Sequence, residues 1–171
     1  MKTIRIGFST PKHKFLPVFS WAIKLIGRTP YSHVYVRWQT DYGPSICYHA
    51  AGHSLHFLSA YMFNRTINMI EEFEITLSDS RYRSMMIYCL ENAGKSYGLL
   101  EVMAIAIRKI TGINLKFLRS GDKKQYCAEL VYRIIGIVKE QECPTDPDQI
   151  DMKQIYGIVK LMASKEVPGS G

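Results

Sequence analysis

The stretch DKKQYCAELVYRIIG, residues 122–136, sets Cys127 where a lysine-bearing polar segment turns into an apolar helix. Unpaired N–H groups in the first turn of a helix carry partial positive charge and favour thiolate over thiol. The same groups can stabilise the oxyanion that forms when a thiolate attacks a carbonyl. Lys123 and Lys124, just upstream, add to that bias. Free cysteine is also among the most buried residue types, so this thiol reads as a nucleophile only if a base can reach it.

Histidine is the usual base, and the chain has five: His13, His33, His49, His53 and His56. His13 lies in a basic loop and reads as solvated. His33 stands in YSHVYVRW, where period-two alternation puts Val34, Val36 and Trp38 on one face and His33, Tyr35 and Arg37 on the other. His49, in ICYHAA, shares a face with Cys47 on the next strand. A hairpin across DYGP brings His33 and His49 together on one sheet face, so that His49 can orient the His33 ring. The cluster HAAGHSLH also raises zinc as an alternative, through His49, His53 and His56. Its spacing crosses a glycine turn, fits no HExxH or CxxC-supported site, and places His53 and His56 on opposite strand faces. No metal or cofactor is expected.

The elements that must position these residues follow in order. TIRIGFST alternates as a first strand, and KFLPVFSWAIKLIGR has helical spacing that Gly27 ends. YSHVYVRWQT and PSICYHA form the hairpin, GHSLHFL a further strand, and TINMIEEFEITL another in which Glu71 and Glu72 interrupt the alternation. Ser78 or Asp79 can cap a helix over SRYRSMMIYCLENAG, with Gly94 at its end. YGLLEVMAIAIRKITG, starting at Tyr97, predicts a helix that closes on Gly112. A loop leads to the cysteine helix near Gln125, and a proline-punctuated segment, ECPTDPDQIDMKQIYG, ends in a short helix. A mostly antiparallel sheet first and helices after it define an α+β plan.

At 171 residues and 47% hydrophobic content the chain suits one domain with a substantial core, placed at residues 1–163. Residues 164–171 read as a disordered tail or a cloning remnant. No signal peptide or membrane span is read, so a cytoplasmic or virion-associated location is expected. The four cysteines are far apart and form no CxxC pair, which argues against a disulfide framework. A net charge of +7 favours anionic partners, such as a cell-wall polymer or a lipid surface. The basic residues are scattered without interleaved aromatics, so nucleic acid is not the expected partner.

Taken together, YSHVYVRW, ICYHAAGHSLHF, YCAELVYRIIG and DPDQIDMKQIY resemble the circularly permuted NlpC/P60 (papain-like) superfamily of cysteine peptidases and amidases. In that group the histidine strand precedes the cysteine helix. The resemblance spans about residues 3–157. It implies a permuted papain-like fold, with an antiparallel sheet packed against a nucleophile helix. It implies Cys127 as nucleophile, His33 as general base and His49 as the third polar residue. Tyr31, Tyr35, Tyr97 and Tyr126 are candidates to line the substrate pocket, and Glu129, which matches a motif glutamate, reads as structural. Two departures from the pattern stand out: Tyr35 stands where relatives usually have a small residue, and Gln149 and Ile150 replace the usual leucine.

The function implied is hydrolysis of an amide bond, in a peptide or a cell-wall peptide, through a thioester. Relatives with a His-His-Cys set also include lipid acyltransferases and phospholipases, for which the apolar segment 97–111 would line an acyl channel. A non-catalytic structural module of a phage or bacterium on the same fold is the remaining alternative.

Overall fold

The structure is a computed structural model that describes residues 1–12, 17–51, 54–98, 107–108, 111–113, 124–140, 147 and 150–165. Its elements run β1 (Lys2–Pro11), α1 (Pro17–Gly27), β2 (His33–Trp38), β3 (Ile46–Ala51), β4 (Ser54–Ser59), α2 (Ala60–Thr66), β5 (Ile67–Leu77) and α3 (Asp79–Asn92). There follow β6 (Ser96–Tyr97), β7 (Lys124–Gln125), α4 (Cys127–Lys139) and α5 (Met152–Lys165). One sheet, ordered β5-β1-β2-β3-β4-β6-β7, carries them. Its five long strands pair antiparallel, and β7 lies parallel to β6. The α+β class holds.

Alternation explains how the sheet divides the molecule. Ile4, Ile6 and Phe8 of β1, Val34, Val36 and Trp38 of β2, and Tyr48 and Ala50 of β3 all enter one large core. That core is closed by α3, α4 and α5. Helix α4 supplies Leu130, Val131, Ile134, Ile135 and Val138, which recur at three- and four-residue intervals and so form a single apolar stripe. The intervening strand residues face the other way. There Tyr35, Cys47, Phe63 and Ile67 form a second, smaller cluster under α2.

The two glutamates of β5 do not break the alternation. Glu72 pairs with Gly7 and faces the smaller cluster, while Glu71 pairs with Phe8 and accepts the Tyr156 hydroxyl of α5 at 3.0 Å. A register shift between Phe8 and Ser9 lets β5 stay paired beyond that point.

Several expectations need correcting. Helix α2 lies between two strands where no helix was expected. It is capped by Ser59, whose Oγ accepts from Met62 N at 3.3 Å. Tyr97 belongs to the short strand β6, because the chain first pairs with β4 and β7 there. Residues 107–108 and 111 are helical and Gly112 has φ +76°, but most of the helix expected from Tyr97 lies outside the described residues. The cysteine helix starts at Cys127, since Gln125 is held in β7, and α5 extends over 14 residues. Helix α5 reaches Lys165, past the expected domain limit of residue 163. Among the described residues, no helix is long and apolar enough to cross a membrane.

Candidate functional site

His33 is the first residue of β2 and His49 the fourth of β3, on neighbouring antiparallel strands. Their shared face puts His33 Nε2 at 3.1 Å from His49 Nδ1, with ring centroids 5.2 Å apart at 80°. Both rings are buried, His33 with 9% and His49 with 5% of its surface exposed. The hairpin pairing expected for these histidines is therefore present.

Helix α2 does the burying. The Phe63 ring centroid lies 4.8 Å from that of His49, 6.3 Å from that of His33 and 4.4 Å from that of Tyr35. Exclusion of water disfavours the imidazolium, and with the nearby His56 it lowers His33 from the ordinary 6.5 to about 4. Burial likewise holds His49 well below its ordinary range, with His33 and His56 adding to the effect. Both rings are neutral at pH 7, the state a general base requires.

Cys127 is the first residue of α4, which packs against β2 and β3. Its N-cap, Tyr126, contributes no side-chain hydrogen bond to the first turn. The thiol is 3% exposed and belongs to the large core on the helix-bearing face. The histidines project from the other face, and His49 is the hydrogen-bond partner of the His33 ring among the described residues. The structure thus brings the two histidines together, and Cys127 opens the helix that packs on their two strands.

The described candidate tyrosines, Tyr31, Tyr35 and Tyr126, are all buried. Tyr35 is fully buried, its ring lies over Gly7, and its hydroxyl donates to Glu72 Oε1 at 2.7 Å. Arg37 donates to the other Glu72 oxygen at 2.7 Å, which fixes the carboxylate beneath both strands. Tyr31 stacks on Tyr156 and packs against Phe8 in the large core. Tyr126 donates to the Ile150 carbonyl at 2.8 Å and so ties the segment before α5 to the start of α4. The Tyr97 side chain, Lys123, Gln149, His13 and His53 lie outside the described residues. Glu129 is buried and accepts from Arg133 at 2.9 Å.

The other described cysteines are poor nucleophiles. Burial pushes the Cys47 thiol up to about 12, against the opposing effect of Arg37, and burial alone does the same for Cys89. Among the described residues, no group of three histidine, cysteine or acidic side chains is arranged to hold a metal ion.

Sequence reasoning missed Phe63 and Glu72 as parts of this site. Ser59 ahead of an apolar run signals the α2 cap, but seven residues are too few for helical periodicity to declare itself. The sequence matches no protein-family model, and no curated protein matches it.

Proposed function

We propose that the protein is a cysteine hydrolase that cleaves an amide bond, with Cys127 as nucleophile, His33 as general base and His49 as the residue that orients it. The observation that carries this reading is the buried pair: Nε2 of His33 is engaged by His49 at 3.1 Å, and with the bridging proton on His33 Nε2 its Nδ1 is left to take a proton. The resemblance of the histidine strand and cysteine helix to permuted NlpC/P60 enzymes supports it, as does the packing of α4 on β2 and β3.

The chemistry balances in two steps. His33 Nδ1 removes the Cys127 proton, and the sulfur attacks the carbonyl carbon to give a tetrahedral oxyanion near the first N–H groups of α4. The C–N bond breaks as the His33 imidazolium gives its proton to the leaving amine. Water, deprotonated by His33, then attacks the thioester and releases the acid and the thiol. The reading requires the sulfur and His33 Nδ1 to meet around the end of β2, where His33 is the first strand residue.

A second reading, a non-catalytic module on the same fold, is favoured by the position of Cys127 in the apolar core. Incubation with muropeptides and, separately, with phospholipid vesicles decides between these functions. New amines released by the wild type and not by Cys127→Ala are expected. Fatty acid released instead transfers the site to lipid acyl chemistry, and no product from either substrate favours the non-catalytic module.

A further inference from the structure

His56 lies on β4 directly opposite His49 of β3, and the two ring centroids are 4.4 Å apart at 64°. Its Nδ1 donates to the Ser54 carbonyl at 3.1 Å. A carbonyl oxygen can only accept, so Nδ1 of His56 carries the proton and Nε2 of the neutral ring is a lone pair. On the other side of the contact, His49 Nε2 is buried and has no hydrogen-bond partner among the described residues. A buried polar nitrogen left in that state is costly, so its nearest polar neighbour matters.

The proton between His33 and His49 has two possible homes. If it sits on His49 Nδ1, then His33 must carry its own proton on Nδ1 and offers no base. If it sits on His33 Nε2, then His33 Nδ1 is a lone pair and His49 must carry a proton on Nε2. Only the second arrangement can deprotonate a thiol, and it makes the buried His49 Nε2 a donor, on a ring whose neighbour across the strands is His56.

We infer that His56 is a positioning residue: it accepts the His49 Nε2–H, through one water or directly after a small turn of either ring, and so sets the direction of a histidine chain that ends in a lone pair on His33 Nδ1. The order of donation is His33 Nε2–H to His49 Nδ1, His49 Nε2–H to His56 Nε2, and His56 Nδ1–H to Ser54 O. The Ser54 carbonyl fixes the polarity of the whole chain. His56 never touches the substrate in this scheme, and its role in catalysis rests on the hydrolase reading above.

The test is the tautomeric state of each ring, read at pH 7 from nitrogen-15 shifts and long-range couplings of the full chain. In the wild type, His33 and His49 should both be Nε2–H tautomers and His56 the Nδ1–H tautomer. In His56→Phe, which keeps a ring but no acceptor, His33 and His49 should move toward the Nδ1–H form. Alkylation of Cys127 should slow by at least about tenfold. His56→Gln, whose amide oxygen can accept, should restore both. A wild-type His49 protonated on Nδ1, or tautomers unmoved in His56→Phe, overturns the inference. Tautomers that respond as stated, with Cys127 alkylation indifferent to His33, leave the chain standing and remove the hydrolase reading instead.

Discussion

Gly7 sits directly across from Tyr35 on the neighbouring strand, and a Cβ at position 7 would meet Tyr35 Cζ well inside van der Waals contact. The absence of a side chain there is what lets the Tyr35 ring fold over β1 and reach Glu72. Gly7→Ala should therefore destabilise the protein by about 1–3 kcal/mol, measured by denaturant unfolding. The cost should shrink in a Tyr35→Leu background, because the clash is with the far end of the ring. Equal costs in both backgrounds would remove this account. Tyr35 also shows what residue types alone conceal. The sequence identified the ring as bulky and on the histidine face, but not its seat over Gly7, which lies 28 positions away in the chain.

At the scale of elements, α2 is the cover of the histidine pair, and Phe63 is its contact residue. Phe63→Ala should cost about 3–5 kcal/mol through the cavity it leaves. Water entering that cavity should raise His33 from about 4 toward its ordinary 6.5, since burial is the main cause of the depression. Proton NMR titration of the His33 ring checks this, and an unchanged midpoint in a folded variant would show that α2 is not the source of the burial. The capping of α3 is a simpler case. Ser78 Oγ accepts from Arg81 N at 3.3 Å, so Ser78→Ala should lower stability by about 1 kcal/mol. That cap was legible because serine before a helical run needs no tertiary information. The short strands β6 and β7 were not legible, because two-residue pairing is decided by neighbours distant in sequence.

The whole molecule should respond to acid through its buried imidazoles. The unfolded chain protonates His33 and His49 near the ordinary 6.5, whereas the folded state holds both rings neutral to lower pH. Their folded values are depressed, so the unfolded state binds more protons as pH falls below about 6.5. Stability should be level above pH 7 and then fall, by up to ~1.4 kcal/mol per pH unit for each ring, until the folded rings titrate. For His33 that end lies at about 4. Denaturant midpoints at pH 7, 6 and 5 measure the slope, and His49→Phe should flatten it. The α+β plan and the long strands were readable because their alternation reports one buried face directly. The face of the sheet that α4 covers was not readable, because a helix can cover either face of a sheet with the same apolar stripe.

Thiol reactivity tests the central claim most directly. The folded wild type and His33→Ala would be alkylated with iodoacetamide across pH 5–9, with each site quantified by peptide mass spectrometry. Cys127 should label at pH 7 while Cys47 and Cys89, held up at about 12 by burial, do not. In His33→Ala the Cys127 rate should fall by about 100-fold. A Cys127 that stays unlabelled in the folded wild type, or that labels equally fast without His33, contradicts the assignment of a cysteine nucleophile and its histidine base.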